Sequence, residues 1–187
     1  MSNILRPALL LTVLFTALTG VAYPLAMTGL TQVLFPDAAN GSLVQVNGHT
    51  IGSALIGQNF ASDKYFHGRP SAAGKDGYDA TNSSGSNLGP SSKALIDAVK
   101  QRVADLGGGP VPDDLVLASA SGLDPDISPE GALFQAGRVA KARNLDIEKV
   151  KTLVASQIRQ PQWGALGEPH VSVLDLNLAL DRMTASP

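Results

Sequence analysis

The sequence predicts a mixed α/β soluble domain attached to a single N-terminal transmembrane helix, and three observations lead to this fold class. An uncharged, apolar stretch lies near the start of the 187-residue chain. A strong β-hairpin signal follows it, and strand-like and helical patterns then alternate, which is typical of α/β domains. The length suits one ordinary core. We therefore predict a transmembrane segment over residues 1–36 and one extracytoplasmic domain over residues 37–187.

Composition excludes several classes of function. The chain has 14 basic and 16 acidic residues, so no basic surface for nucleic acid is predicted. It has no cysteine, which excludes disulfide frameworks, zinc ribbons and thiol nucleophiles. The charge balance alone identifies no partner.

The first element is the predicted transmembrane helix. No Asp, Glu, Lys or Arg lies between Pro7 and Pro36, and residues 8–27 are mainly Leu, Val, Ala, Phe and Thr. About 20 residues with a rise of about 1.5 Å each match the thickness of a bilayer core. A cleaved signal peptide and a buried core helix are the alternatives, but Tyr23 and Pro24 stand where a cleavage site needs small residues. Because Pro24 has no N–H group and lies late in the stretch, we expect a kink near the C-terminal end of the helix.

The charges beside this helix predict its orientation. The amino terminus and Arg6 precede it, Asp37 follows it, and the first basic residue after it is Lys64. Since positive charge is retained on the cytoplasmic side, we expect the C-terminal domain to lie outside the cytoplasm.

The next elements are a hairpin and a long loop. Asn47 and Gly48 separate two strand-like runs, at residues 42–46 and 50–56, and this dipeptide favours a tight hairpin turn. Residues 61–92 are rich in Gly, Ser, Asn, Asp and Pro and form no regular pattern. We expect this loop to be held to the domain by its aromatic residues, namely Phe60, Tyr65, Phe66 and Tyr78.

The remaining elements alternate between helices and short strands. Apolar spacing and capping residues predict three helices, of which the second has Ser128 as its cap and the third Asp146. The buried run Leu-Val-Leu at 115–117 and the run Val-Ser-Val at 171–173 predict two short strands, and a short helix follows the last one. The predicted ranges are a helix over 90–106, a strand over 115–117, helices over 128–143 and 146–160, a strand over 171–173 and a helix over 176–180.

Motifs for common chemistries are missing from the sequence. There is no phosphate-binding loop, no dinucleotide fingerprint and no serine-nucleophile motif. His49, His67 and His170 are scattered without metal-ligand spacing. We therefore predict no metal site and no catalytic residue.

Two polar groups remain open to a functional interpretation. Asp124 and Asp126 flank a proline before a helix, where they suit acid–base work or cation binding, or only a turn and a helix start. Gln135 and Arg138 lie one turn apart, where a polar pair is usually solvated or bonded to a loop. A membrane-anchored hydrolase using Asp124, Asp126 or Ser86 is therefore one alternative, and an anchored module that binds a small ligand is another.

Six strings in the C-terminal domain resemble the C subunit of the bacterial potassium-transporting P-type ATPase, the Kdp complex. They occur in the same order as in that family, although Ala120, Asp126 and Ser172 depart from its usual residues. The strings are Gly-Ser-Ala-Leu-Ile-Gly-Gln at 52–58, Tyr-Phe-His-Gly-Arg-Pro-Ser-Ala at 65–72, Ser-Gly-Ser-Asn-Leu-Gly-Pro at 84–90, Ser-Ala-Ser-Gly-Leu-Asp-Pro-Asp-Ile-Ser-Pro at 119–129, Gln-Ala-Gly-Arg-Val-Ala at 135–140, and Gly-Glu-Pro-His-Val-Ser-Val-Leu-Asp-Leu-Asn at 167–177.

The resemblance implies an accessory subunit that assembles or stabilises a potassium pump in the bacterial inner membrane. Its implied partners are a channel-like potassium-translocating subunit, an ATP-hydrolysing P-type subunit and the lipid bilayer. The family is also described as a catalytic chaperone for ATP, with Gln135 at the implicated position, although the predicted orientation separates this domain from cytoplasmic ATP. The residues of these motifs that we single out as candidate contacts are Tyr65, Arg69, Ser71, Gly85, Ser86, Asn87, Asp124, Gln135 and Arg138.

Overall fold

The computed structural model describes residues 2–185 and contains two compact units, Met1–Val44 and Gln45–Pro187. Its mixture of helices and short strands confirms the predicted α/β class. The sequence placed the domain boundary between residues 36 and 37, and the predicted domain ends at residues 1 and 186–187 lie outside the described residues.

The first unit is mainly helical. Its stretch Ile4–Leu34 is long and apolar enough to cross a membrane, as predicted. Immediately before Pro24 the backbone forms a π-helical turn, in which the Tyr23 N–H donates to the Leu18 carbonyl. Such a turn suits this position, because proline cannot donate to the carbonyl four residues earlier. The elements are α1 (Ser2–Ala17), the π turn (Leu18–Ala22), α2 (Tyr23–Leu34) and α3 (Pro36–Ala39).

The predicted hairpin is confirmed, with strands β1 (Leu43–Val46) and β2 (His49–Ser53). Asn47 and Gly48 have φ values of 52° and 78°, so both turn residues take the left-handed conformation that the dipeptide favours. The second strand is shorter than predicted. It ends at Ser53 because the chain turns back there and Ser53 bridges to Ile56.

The core of the second unit lies among three helices and a two-stranded antiparallel sheet. In the sheet, Asp126 pairs with Ser172 and Ile127 with Val171. The elements are α4 (Lys93–Asp105), β3 (Asp126–Ile127), α5 (Pro129–Arg143), α6 (Ile147–Ser156), β4 (Val171–Ser172) and α7 (Val173–Ala185). The buried cluster consists of Phe66, Ile127, Ala132, Ala136, Val139, Ala140, Val150, Val154, Val171, Val173, Leu176 and Leu180.

Helix α5 begins and ends where its sequence predicts. The Ser128 hydroxyl accepts a hydrogen bond from the Gly131 N–H at 2.9 Å, and Pro129 occupies the first turn. Asn144 ends the helix in the left-handed conformation, with φ of 55°. These local signals fix the position of the helix that carries Gln135 and Arg138.

The predicted strand over residues 115–117 and the predicted helix over 146–160 differ from the structure in conformation or length. Residues 115–117 do not form a strand, because Asp113–Leu115 is a 3-10 turn. The N–H groups of Val116 and Leu117 both donate to the Asp113 carbonyl. Leu115 and Val116 are nevertheless buried but Leu117 is 37% exposed, so the prediction of burial was right for two of the three residues and that of a strand was wrong. Helix α6 ends four residues early, because Arg159 pairs with His170 in a separate hairpin-like ribbon.

The final helix is longer than predicted. The sequence predicted a strand over residues 171–173 and a helix over 176–180, but α7 already begins at Val173. The Ser172 hydroxyl accepts a hydrogen bond from the Asp175 N–H, which is how a serine caps a helix start. The apolar run therefore becomes helical immediately after the short strand β4.

Candidate functional site

The motif residues concentrate in and around a long loop, residues 57–92, which contains neither helix nor strand. Phe66 is fully buried in the core, and Tyr65 and Tyr78 are half-buried. The expectation of an aromatic-pinned loop is therefore confirmed. Since the loop has no regular backbone ladder of its own, its position depends on contacts with other elements.

Two buried amide side chains hold the centre of this loop. Asn177 on α7 accepts a hydrogen bond from the Phe66 N–H at 2.8 Å and donates to the Phe66 carbonyl at 2.9 Å. Gln135 on α5 repeats the arrangement with the next residue, accepting from the His67 N–H at 2.8 Å and donating to its carbonyl at 3.0 Å. The side chains are 1% and 3% exposed, respectively. These amide clamps, Asn177 with Phe66 and Gln135 with His67, supply the partners that a neighbouring strand would otherwise provide.

Arg138 extends the second clamp. Its guanidinium donates to the Asp63 carbonyl at 2.8 Å, to the Tyr65 carbonyl at 3.0 Å and to Gln135 Oε1 at 2.8 Å. Burial lowers the pKa of Arg138 from its ordinary value, and the Asp63 carboxylate opposes this effect. An arginine still carries its charge at neutral pH, so these are charge-assisted bonds to the loop backbone.

Tyr65 is held by a charged pair, Arg143 on α5 and Asp181 on α7. Its hydroxyl donates to Asp181 Oδ2 at 3.2 Å, and the Arg143 guanidinium lies 4.7 Å from the centre of its ring. Arg143 also forms an ion pair with Asp181 at 2.7 Å. A cation above an aromatic ring is a favourable arrangement, so the ring and the hydroxyl of Tyr65 are each held by one member of the pair.

Arg69 and Asp124 form an ion pair at 3.0 Å that joins the loop to the turn before β3. The second Asp124 oxygen accepts from the Asp126 N–H at 3.1 Å. Tyr78 donates its hydroxyl proton to the Arg69 carbonyl at 2.7 Å. Burial, followed by the nearby Asp124 charge, raises the pKa of Tyr78 to about 12, so this donor stays protonated at neutral pH. Asp124 is thus engaged by two partners within the fold.

Ser71 connects two turns of the loop to Gly122. Its hydroxyl donates to the Gly122 carbonyl at 2.6 Å and accepts from the Tyr78 N–H at 2.8 Å and the Ala73 N–H at 3.1 Å. Gly122 has φ of 67°, and a Cβ atom there would lie 2.5 Å from the Ser84 carbonyl. A side chain at Gly122 would therefore force these turns apart.

The Gly85–Asn87 motif divides into a packed part and an exposed part. At Gly85 an added Cβ would lie 2.8 Å from the Ala120 carbonyl, so glycine permits close approach of the two turns. Ser86 and Asn87 are exposed, and Asn87 takes a left-handed φ of 53°. Within residues 2–185, no hydrogen bond joins Ser86 to a basic group or a carboxylate.

An open cleft of about 500 Å³ lies beside the long loop. Arg69, Ser71 and Gln135 line it, together with His67 and Arg102. Burial, followed by the Arg138 charge, lowers the pKa of His67, which favours a neutral imidazole. The described part of the chain contains no group of three His, Cys, Asp or Glu residues that could hold a metal ion. The other candidate residues lie outside the lining of the cleft: Tyr65, Gly85, Ser86, Asn87, Asp124 and Arg138.

Sequence reasoning did not single out Asn177. It occupies the most buried polar position of α7, in the otherwise apolar run from Leu176 to Leu180. A lone amide within such a run was a usable signal, because a buried amide needs hydrogen-bond partners. Its partner, Phe66, lies 111 residues away in the chain, so no local sequence pattern identifies it.

Comparison with known proteins agrees with the resemblance. The family model described as the K⁺-transporting ATPase c chain, KdpC, matches residues 5–182. A relative from Variovorax paradoxus, named potassium-transporting ATPase KdpC subunit, is 58% identical and covers 100% of both chains. Relatives of the same name from Bradyrhizobium diazoefficiens and Dechloromonas aromatica are 57% and 55% identical, over 97% and 98% of this chain and 98% and 100% of theirs.

Proposed function

This chain belongs to the KdpC family of K⁺-transporting ATPase subunits, and from this we propose that it is a non-catalytic accessory subunit of an ATP-driven, high-affinity potassium uptake pump. Catalysis would then lie in a separate P-type ATPase subunit. The observation that carries the proposal is the use of the motif residues: in this fold Gln135, Arg138 and Asp124 hold the long loop in place. A catalytic site would instead leave such groups available to a substrate.

We propose that the stretch Ile4–Leu34 anchors the chain in the bacterial inner membrane as a single pass. With Arg6 at the N-terminal end of this stretch and Asp37 after it, positive charge favours a cytoplasmic N-terminus and an extracytoplasmic second unit. Alkaline phosphatase fused after residue 187 should be active, and green fluorescent protein fused there and exported in unfolded form should be dark. The reverse pattern would contradict this orientation.

The partner that we propose for the second unit is the channel-like potassium-translocating subunit. A loop fixed by buried amides and ion pairs offers a preorganised surface, which lowers the entropic cost of association. Affinity purification of this chain from native membranes in mild detergent should recover the potassium-translocating and ATPase subunits together. A clean monomer from a strain that expresses all the subunits would contradict the proposal.

Any effect of this chain on ATP binding would act through the assembled complex. Gln135 is buried, and its amide oxygen and nitrogen are both bonded to the His67 backbone, so a nucleotide would have to break the clamp to reach it. An outward-facing domain would also be separated from cytoplasmic ATP by the bilayer. An azido-ATP probe applied to the intact complex should label the ATPase subunit and leave this chain unlabelled. Specific labelling of this chain, lost in Gln135→Ala, would instead favour direct nucleotide contact.

The cleft favours one second candidate, a module that binds a small ligand. Its volume of about 500 Å³ lies within the usual range for ligand sites, and its lining carries three basic residues, Arg69, Lys75 and Arg102, against two acidic ones, Asp76 and Asp105. Isothermal titration of the full chain in detergent with small carboxylates would test this function. Arg102→Ala should abolish the heat of binding if the cleft holds the ligand.

A further inference from the structure

Asp126 and His170 lie side by side in the second unit, and the functions proposed above make no use of this pair. Asp126 pairs with Ser172 across the sheet of β3 and β4, and His170 lies two residues before Ser172, on the same face of its strand. The distance from Asp126 Oδ2 to His170 Nε2 is 3.9 Å. This gap is too long for a hydrogen bond, but a side-chain movement of about 1 Å would close it.

A hydrogen bond on the far side of the His170 ring shows which nitrogen faces the carboxylate. His170 Nδ1 lies 3.0 Å from the Glu168 carbonyl oxygen. Because a carbonyl oxygen can only accept, Nδ1 carries a proton, and in the neutral ring Nε2 is left with a lone pair. With His170 neutral and Asp126 ionised, two acceptors therefore face each other. A single added proton turns this contact into a hydrogen bond.

The carboxylate of Asp126 is otherwise poorly matched. Its Oδ1 is buried without a hydrogen-bond partner among residues 2–185. The other charged groups near Asp126 form ion pairs with each other, namely Arg69 with Asp124 and Arg159 with Asp175. Burial, the largest influence, raises the pKa of Asp126, the charges of Asp124 and Asp175 add to this, and His170 and Arg159 oppose it. These surroundings favour uptake of a proton at the pair.

The pair lies between two segments that are each fixed by their own hydrogen bonds. The backbones of Arg159 and His170 exchange two bonds, at 2.8 and 3.1 Å, and form the stem of the ribbon between α6 and β4. The Asp126 N–H donates to Asp124 Oδ1 at 3.1 Å, in the turn that Arg69 joins to the long loop. A bond between Asp126 and His170 would connect the ribbon stem to this turn.

We propose that Asp126 and His170 form a proton-operated latch, in which one proton shared by Asp126 Oδ2 and His170 Nε2 closes their 3.9 Å gap and fixes the ribbon stem to the turn before α5. The same bond forms whichever of the two atoms carries the proton. A group whose pKa is raised by folding stabilises the fold at low pH and loses this contribution as the pH rises through the folded value. The latch therefore closes on acidification and opens as the pH rises. It is a property of this chain alone and does not require an assembled pump.

Hydrogen exchange at the ribbon stem tests the latch. The N–H groups of Arg159 and His170 are followed in the full chain in detergent, and their rates are converted to protection factors at each pH. Protection should rise about fivefold between about pH 8 and about pH 4, as expected for the gain of one hydrogen bond. The amides of α4 should keep constant protection. Constant protection at the stem, or an equal rise in α4, would overturn the inference.

Two substitutions should fix the latch in opposite states. In Asp126→Asn the side-chain amide can donate to His170 Nε2 at any pH, so the stem should be protected at pH 8 as in the acidified wild type. His170→Phe removes the acceptor and should leave the stem unlatched at every pH. Asp76→Asn, an exposed carboxylate in the long loop, is the matched control and should keep the wild-type response. A wild-type response in Asp126→Asn would refute the latch, even if His170→Phe failed to fold.

Nitrogen-15 spectra of the histidine rings test the tautomer directly. At pH 8 the neutral His170 ring should carry its proton on Nδ1, which is the less common tautomer in water, and the His170→Phe spectrum assigns its signal. A proton on Nε2 at this pH would also contradict the proposal, because that nitrogen could then donate to Asp126 without any further proton.

Discussion

The long loop (residues 57–92) and helix α4 (Lys93–Asp105) follow each other in the chain and are stabilised in opposite ways. The long loop has no regular secondary structure, yet it contains fully buried Phe66 and is bonded to α5 and α7 through the amide clamps. Helix α4 has a regular backbone but no fully buried side chain, and its Ile96 is 44% exposed. Regularity of the backbone and attachment to the core are therefore separate properties in this molecule.

The difference shows where the stability of this domain resides. A helix satisfies its own backbone groups and can form with few tertiary contacts, whereas an irregular buried segment needs an external partner for every polar group. The clamps supply such partners to two consecutive peptide units, at Phe66 and His67. We expect variants of the clamps to affect folding far more than variants of α4.

The largest effect is expected from Asn177→Ala. It leaves the buried N–H and carbonyl of Phe66 without partners, and each unsatisfied group costs about 1–3 kcal/mol. The free energy of unfolding of the full chain in detergent, measured by urea titration, should fall by roughly 3 kcal/mol. The matched control is Gln101→Ala, which removes an exposed amide from α4 and should cost less than about 0.5 kcal/mol. Similar losses for the two variants would remove the contrast between the regions.

Gln135→Ala should have the next largest effect, about 2 kcal/mol. His67 is only half-buried, so water can replace part of the lost bonding, but Arg138 also loses an acceptor. Hydrogen exchange should quicken at residues 63–68 while α4 keeps its wild-type rates. Gln135→Glu keeps the acceptor and loses the donor to the His67 carbonyl, so we expect an intermediate loss. Unchanged exchange in the loop would show that this clamp does not hold it.

On α4, Ile96→Ala should cost less than about 1 kcal/mol. A fully buried isoleucine loses about 2–5 kcal/mol in this change, but Ile96 is half-exposed and alanine favours helix formation. The comparison variant is Val150→Ala on α6, which removes a fully buried side chain and should cost about 2 kcal/mol despite being the smaller truncation. Urea titration measures both. A larger loss at Ile96 would mean that α4 contributes to the core more than its burial indicates.

The same contrast explains what the sequence could predict. The hairpin turn at Asn47 and Gly48 and the helix start at Ser128 were predicted because their signals lie within a few residues. The amide clamps were not predicted, because Gln135 is 68 residues from His67 and Asn177 is 111 residues from Phe66. The Gln135 and Arg138 pair was identified, with bonding to a loop as one interpretation, but the identity of the loop depends on the tertiary fold.

Short elements were the least predictable part of the fold. The pair β3 and β4 has two residues in each strand, so it has no periodic pattern, and its register depends on how α5 and α7 pack. Only the first two residues of the ribbon at residues 159–170 were predicted as the end of helix α6, because the apolar spacing continued to Ile158. The resemblance to a known family identified the motifs, but not which motif residues are exposed and which are structural.

The smallest effect is expected at Asp126, whose carboxylate is only partly satisfied by hydrogen bonds within the fold. Its Oδ1 is buried without a hydrogen-bond partner among the described residues, and Oδ2 lies 3.9 Å from His170. Burial raises the pKa of Asp126, Asp124 and Asp175 add to this, and His170 and Arg159 oppose it. A raised carboxyl pKa stabilises the fold below the pKa of the unfolded chain and loses this contribution as pH rises through the folded value.

Asp126→Asn should therefore raise the melting temperature slightly at pH 7.5, because the amide removes a half-buried charge. The gain should shrink as the pH falls through the raised pKa of the Asp126 carboxyl, because the wild-type side chain then takes up its proton and both variants become neutral at this position. Thermal unfolding of the two variants across this range measures the difference. Asp76→Asn, an exposed carboxylate in the long loop, should give no such pH-dependent gain. A gain at Asp126 that persisted unchanged on acidification would show that it does not come from the charge. A gain that grew on acidification would show that the charge stabilises the turn beside the Arg69 and Asp124 pair, and that this end of the loop is as well satisfied as the amide clamps.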